Sequence, residues 1–448
     1  MTLDRRGFLK GAAAGVGVAA LGTRADAFVN IAVPTAAEPG IDTVVVVMME
    51  NRSVDHFFGW VPDVVPGFDA TQDATYSGVT TSHWGARSEK HDYAGCGYED
   101  PAHGWDTGRA QKEEGFLGPN AGNDEFAVSY YEAVDIPVYE GLVKSFTTFD
   151  NYFCSIMAST YPNRYYMHSA QTGGMKDNDF PPEAGKPTGW DWPTIWDLLD
   201  RKGVSWAYYF SNLPAIGLWG PRYAHNARHI SHYYEDALLG RLPAVSFVDP
   251  FFVAPEGLAN DDHPHADIRL GQEFVSGVTT TFMRSPQWHR GAMFVNYDEW
   301  GGFWDHIAPP EVPDPRGGEG FGQLGFRTPT LLLSPFARGP RVDHGLYDHT
   351  SILRFIEENW SLGRLVDLGE PARDGHDRNI GAAFDFTRFD PEVNLEALTY
   401  IAPAEARIPC EVRGHTAPAS DLFALAENGW LEAMGYRIDW KFTDSIPW

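Results

Sequence analysis

Two apolar runs in this chain stop on acid. TVVVVMMENRSVDHFFG, residues 43–59, breaks at Glu50, Asn51 and Arg52, and GAMFVNYDEWGGFWDH, residues 291–306, breaks at Asp298 and Glu299 before a Gly-Gly turn. Three carboxylates and one carboxamide brought to one place repel each other unless a cation lies among them. The pattern therefore predicts one divalent metal ion held by Glu50, Asn51, Asp298 and Glu299. An all-oxygen set of this kind suits Ca, Mg, Mn or Fe(II) and leaves the choice among them open. Arg52 adds a planar fork of the shape that phosphate accepts. A single acidic pair would read as a solvated turn; the same design twice, each time behind a buried strand, favours the site.

The elements that must position these residues are legible around them. Five consecutive β-branched residues, Thr43 to Val47, favour a strand buried on both faces, and ligands bind past the carboxyl ends of such strands. Strand-like runs recur at Val44–Met48, Ser205–Phe210, Ala244–Val248, Ala292–Tyr297 and Thr328–Leu333, and helical patterns at Trp192–Arg201, Arg269–Met283 and Thr350–Trp360 lie between several of them. This alternation predicts an α/β fold with a mostly parallel central sheet flanked by helices. Residues 61–125 are Gly-rich, polar and aromatic, and are expected to cover the site as a long insertion. Residues 366–448 lack the alternation and are expected to form a C-terminal extension.

A hydroxyl nucleophile is expected between the two acidic pairs. In Ser159-Thr160-Tyr161-Pro162-Asn163-Arg164, Pro162 suits the first turn of a helix, which puts Thr160 at its N-terminus. Free N–H groups and the helix dipole there stabilise a phosphate and an ionised oxygen. Thr160 is either that nucleophile or a plain N-cap. Among 16 histidines, neighbouring residues single out His103, His263, His306 and His349, three of them directly preceded by aspartate.

Five blocks, ENRSVDHFFG, STYPNRYYMHS, DDHPHADIRLGQEF, YDEWGGFWDHIAPP and YDHTSILRFIEENW, occur in this order. Together they resemble the bacterial phosphoesterase family of phospholipases C and related acid phosphatases. The resemblance spans roughly residues 41 to 365 and implies an alkaline phosphatase-like core, with a catalytic domain over residues 28–365. It implies that Thr160, which precedes Pro162-Asn163-Arg164, is the nucleophile and touches the metal, and that Asn163 and Arg164 bind non-bridging oxygens. His103 and His263 rank above His306 and His349 as catalytic histidines.

The implied chemistry is a two-step displacement. Thr160 attacks phosphorus, a protonated histidine gives a proton to the leaving alcohol, and water then hydrolyses the phosphothreonine. The substrate implied first is a phosphatidylcholine-type diester, for which 15 Trp, 19 Tyr and 28 Phe offer material for a choline cage. The larger phospholipases of the group continue into further C-terminal domains, which favours a phosphomonoesterase of the acid phosphatase branch as the alternative. Trp300 stands where the family usually has His or Asn, a departure that keeps a non-catalytic, metal-stabilised phosphoester-binding protein in view.

The ends and the charge bound the compartment and partners. Residues 1–27 carry Arg5-Arg6, a short Gly- and Ala-rich run and Ala25-Asp26-Ala27, the pattern of a twin-arginine export signal. Export by the twin-arginine translocation machinery to the periplasm or outside is expected. No stretch approaches the roughly 20 apolar residues of a transmembrane helix. With 34 Lys plus Arg against 61 Asp plus Glu, and a net charge of -27, nucleic acid is disfavoured as a partner. A phosphate ester or phospholipid head group remains open, because a metal and a few arginines set the potential locally. Cys96, Cys154 and Cys410 are odd in number, so at least one thiol is unpaired.

Overall fold

The run of valines becomes strand β1 (Thr43–Met49), buried along its whole length. Because side chains alternate across a strand, Val44, Val46 and Met48 enter one apolar core while Val45, Val47 and Met49 enter another. Each face must therefore be covered by helices, which is the condition for a parallel sheet. The computed structural model describes residues 40–73, 75–76, 79–80, 84–85, 93–182, 184–252, 259–408 and 429–438. The expected export signal, residues 1–27, and Cys410 lie outside the described residues.

The remaining strands of the main sheet are β2 (Thr147–Phe149), β3 (Trp206–Phe210), β4 (Ala227–His229), β5 (Val245–Asp249), β6 (Gly291–Tyr297), β7 (Leu331–Leu333) and β8 (Arg341–Asp343). They lie in the order β8-β2-β7-β6-β1-β5-β3-β4, an eight-stranded sheet. β1 pairs in parallel with β6 over its full length and with β5 on its other side, and only β7 runs against its neighbours. The expected strand Thr328–Leu333 begins three residues late, because Pro329 has no N–H to give to a ladder.

Helices α1 (Val54–Phe58), α2 (Trp105–Glu114), α3 (Pro137–Ser145), α4 (Thr160–Ser169), α5 (Ile195–Lys202), α6 (Ile230–Leu238), α7 (Ile268–Arg284) and α8 (His349–Asn359) divide between the faces. Tyr165 of α4, Trp196 of α5 and Ile352 of α8 join the first core; Phe57, Leu142, Tyr233 and Val278 join the second. The C-terminal residues reach both: Leu398 packs into the second core, Leu431 and Tyr436 into the first. Arg373 is buried on Asp314 at 2.8 Å. Among the described residues no helix is long and apolar enough to cross a membrane. Cys96 is disulfide-bonded, and Cys154 is a buried free thiol.

Candidate active site

Parallel pairing carries the carboxyl ends of β1, β5 and β6 to one edge, and each of the three ends in acid: Glu50, Asp249 and Asp298. Around them α4 contributes Arg164, whose Nη2 lies 3.3 Å from Glu50 Oε1, Nη1 3.1 Å from Asp249 Oδ1 and Nε 3.1 Å from Asp298 Oδ2. All four side chains are buried, Arg164 at 2% exposure, so this guanidinium is the counter-ion that makes the acidic edge tolerable. It does not neutralise it. Burial, then the neighbouring Asp298, holds the Glu50 carboxyl well above its usual range; Glu299 is raised by the same two causes, and burial pushes Asp298 up to about 6.

Asn51 turns the chain out of the strand with φ 61°, a left-handed conformation that asparagine tolerates better than most residues. Its N–H donates to Asp298 Oδ1 (3.3 Å), as does the Glu299 N–H (2.7 Å). Gly301, at φ 64°, has no room for a side chain: a Cβ would stand 2.3 Å from the Asn51 carbonyl oxygen. From there the Gly301 N–H donates to Glu299 Oε2 at 2.6 Å. Among the described residues, Glu299 Oε1 and Asn51 Oδ1 are buried and meet no hydrogen-bond partner. A buried oxygen without a protein partner is a place where water or an ion can complete the hydrogen bonding. Two of them beside Glu50 and Asp298 fit an oxygen-ligated divalent cation.

Thr160 is the first residue of α4 and is 7% exposed. The N-cap is Ser159, whose side chain makes no capping bond, so the plain N-cap reading does not describe Thr160. Thr160 and Arg164 are four apart on one helix face, which places the hydroxyl about one turn, or 5–6 Å, from the arginine that grips Glu50 and Asp298. Asn163 and Arg164, expected to bind phosphoryl oxygens, face inward instead. Asn163 Oδ1 accepts from the Ile156 N–H (3.0 Å) while its Nδ2 donates to the carbonyls of Ile156, Ala158 and Ser159. Its hydrogen bonds fix the loop that leads into Thr160, and those of Arg164 fix the carboxylates.

The four histidines separate. The loop before α2 delivers His103, with Nε2 3.8 Å from Glu299 Oε1 and 3.4 Å from Asn51 Nδ2. His263 meets it edge to face, ring centroids 5.8 Å apart. Burial lowers the pKa of both, His263 to about 4. His349, the first residue of α8, is wholly buried; its Nε2–H donates to the Asp298 carbonyl (2.7 Å) and its Nδ1 accepts from the Tyr152 hydroxyl (3.0 Å). It aligns the backbone that carries Asp298. His306 belongs to a different network, on Asp55 (2.6 Å) and Asp69 (3.1 Å) with Arg327 alongside. Arg52 likewise points away, its Nε donating to the Asp262 carbonyl at 2.8 Å.

Two site residues were passed over in the sequence. Asp249 follows the recognised run Ala244–Val248 as Glu50 follows β1, so the same signature was available. Asp100, which reaches within 3.7 Å of His263 Nε2, sits in an insertion with no periodicity to point at it. Trp300 is buried, and its indole N–H donates to Gln111 of α2 at 2.9 Å, tying the covering insertion to the acidic turn.

The family described as the Phosphoesterase family matches residues 41–363. Non-specific phospholipase C1 of Arabidopsis thaliana is 33% identical over 379 residues, covering 75% of this chain and 70% of its own length. Non-specific phospholipase C4 of the same plant is 30% identical over 457 residues, covering 91% and 82%. Phospholipase C B of Mycobacterium tuberculosis is 29% identical over 423 residues, covering 77% and 80%. A solved structure of a protein in the alkaline phosphatase superfamily from Vibrio parahaemolyticus aligns with TM-score 0.36 and 12% identity, covering 75% of this chain and 72% of that one.

Proposed function

Since the chain belongs to the phosphoesterase family and is a phosphoric ester hydrolase, we propose that it is a phospholipase C that cleaves phosphatidylcholine-type diesters through Thr160. The observation that carries the reading is the pair of orphaned oxygens, Asn51 Oδ1 and Glu299 Oε1, inside a buried carboxylate cluster one helical turn from that threonine. Glu50, Asn51, Asp298 and Glu299 would hold a divalent cation, with Thr160 beside it. Such an ion supplies a Lewis acid that favours the alkoxide form of a bound hydroxyl and offsets phosphoryl charge.

The chain's own residues do the rest. Thr160, at the positive end of α4, displaces the alcohol from phosphorus, where the helix dipole favours the developing negative charge. Arg164 holds the carboxylates of Glu50, Asp249 and Asp298 in register. The Gly301 N–H, by occupying Glu299 Oε2, turns Oε1 toward the cleft. His103 and His263 line the side where the alcohol departs. Both imidazoles rest neutral, so as proton carriers they take a proton from the attacking water in the second step more readily than they give one in the first. Water then releases phosphate ester from Thr160. We further read residues 1–27 as an export signal, on the sequence alone.

The test is hydrolysis of p-nitrophenyl phosphorylcholine beside p-nitrophenyl phosphate by the metal-replete enzyme. Preference for the diester supports a phospholipase C. Preference for the monoester replaces it with an acid phosphatase-like enzyme, and failure on both leaves a binding protein.

A further inference from the structure

Arg52 is buried like Arg164 and Arg327 but is spent differently. Those two meet carboxylates, whereas Arg52 gives its N–H groups to uncharged acceptors. Its Nε and Nη2 both donate to the Asp262 carbonyl oxygen, at 2.8 and 2.5 Å, and its Nη1 donates to His56 Nε2 at 2.9 Å. His56 accepts there because its Nδ1–H goes to the Ser129 carbonyl at 2.7 Å. Phe303 stacks on both partners, its ring centroid 4.8 Å from the guanidinium carbon and 3.8 Å from the centroid of His56. A buried charge is costly, and satisfying one carbonyl does not require it. What the charged fork adds is stiffness, two charge-assisted bonds closing on one oxygen.

The oxygen it grips belongs to the peptide unit that joins Asp262 to His263. The other end of that plane, the His263 N–H, donates to Asp261 Oδ1 at 3.1 Å. With both ends held, the direction in which the His263 side chain leaves the backbone is set. Asp262 adopts φ 75°, uncommon for a residue with a side chain, and its Oδ2 accepts from the Tyr297 hydroxyl at 2.6 Å. One residue earlier, the Asp261 carbonyl accepts from the Glu50 N–H at 2.8 Å. The corner Glu50-Asn51-Arg52 thus carries two of the candidate metal ligands and anchors the His263 turn as well. We propose that Arg52 is a positioning residue for His263, aiming the imidazole into the cleft, where its ring centroid stands 5.8 Å from that of His103 and its Nε2 3.7 Å from Asp100 Oδ2.

This rests on the reading that His263 carries a proton in the reaction, and it gives a use to the fork that the sequence offered to phosphate. A misaimed imidazole costs rate more than affinity, so the loss belongs in kcat.

The test is a double-mutant cycle on kcat, with whichever of the two p-nitrophenyl esters the metal-replete parent hydrolyses. His263→Asn, and Arg52→Lys, which keeps the charge and loses the fork, are each expected to lower kcat about 10²-fold with KM within about 2-fold of the parent. The doubly substituted enzyme should match His263→Asn alone within about 2-fold. A double variant slowed by the product of the two losses overturns the proposal, since Arg52 then acts on something other than His263, and so does Arg52→Lys at the parent's rate. His263→Asn at the parent's rate overturns the proton-carrying reading and the proposal with it. Should Arg52→Lys not fold, Phe303→Leu loosens the same fork and takes its place in the cycle, with about a 10-fold loss expected and the same lack of additivity. A crystal structure of the variant gives a readout independent of turnover: the His263 ring is expected to shift by about 1 Å or more. An imidazole standing where the parent's stands overturns the proposal even if neither ester is hydrolysed.

Discussion

Two buried acidic clusters, each built around one arginine, lie near the ends of β1 and β6, and only one of them is short of partners. In the first, Arg164 meets Glu50, Asp249 and Asp298. In the second, Arg327 meets Asp305 at 3.0 Å and Asp55 at 3.4 Å, with His306 on Asp55 and Asp69. Both carboxylate oxygens of Asp55 and of Asp305 are spoken for. Asp55 Oδ1 accepts from the Thr71 N–H at 2.9 Å, its Oδ2 accepts from the His306 ring, and Asp305 Oδ1 accepts from the Ile307 N–H at 2.9 Å. In the first cluster Asn51 Oδ1 and Glu299 Oε1 accept nothing. Carboxylate density is the same signal in both; what differs is the hydrogen-bonding capacity left unspent, and on that difference rests the proposal that the first cluster binds a cation.

The sharpest way to break this comparison is Thr160→Ala. It should lower kcat by at least about 10³-fold while the metal content, measured by elemental analysis, stays that of the parent. A near-normal rate would remove Thr160 from the chemistry.

Next comes a crossed pair. Glu299→Gln in the first cluster is expected to weaken cation binding at least about 10-fold with little change in the melting temperature of the metal-free protein. Asp305→Asn in the second strips a buried charge from Arg327 and should cost about 3–5 kcal/mol of stability with metal stoichiometry intact. If Asp305→Asn released the metal and Glu299→Gln did not, the assignment of the two clusters would be reversed.

Acid supplies a third contrast. Burial lifts Asp298 to about 6, so protons compete with the cation from that pH downward, and affinity measured by calorimetry should rise with pH through about 6. An affinity flat from pH 5 to 7 would argue that Asp298 is not a ligand.

The smallest effect belongs to His306. Burial lowers its pKa, but the hydrogen bond and charge of Asp55 outweigh burial and leave it raised. A raised histidine contributes stability that is fully present below its ordinary value near 6.5 and is lost as pH rises through the folded value. His306→Asn should flatten that alkaline decline in melting temperature; an unchanged profile would assign the decline elsewhere.

Sequence carried much of this, unevenly. The five recognised strands and three recognised helices stand within a few residues of their expected places, because long apolar runs leave a strong period. Thr147–Phe149, Ala227–His229 and Arg341–Asp343 went unread, since three residues hold no period. Glu50, Asn51, Asp298 and Glu299 were legible because an apolar strand that stops on acid is unusual. Asn163 and Arg164 were legible as special but not in direction: whether a helical side chain faces the ligand or the core depends on what packs against it. His306 shows the same limit, for its aspartate partners lie up to 251 residues away in the chain.

The C-terminal segment sets a boundary for anyone who would shorten this protein. Leu398 lies against one sheet face and Leu431 and Tyr436 against the other, so this single tail clasps both sides of the slab. Ending the chain at residue 365 would not yield a lean catalytic unit; it would open two greasy seams at once and unseat Arg373, which pins the loop around Ser155 just ahead of the threonine.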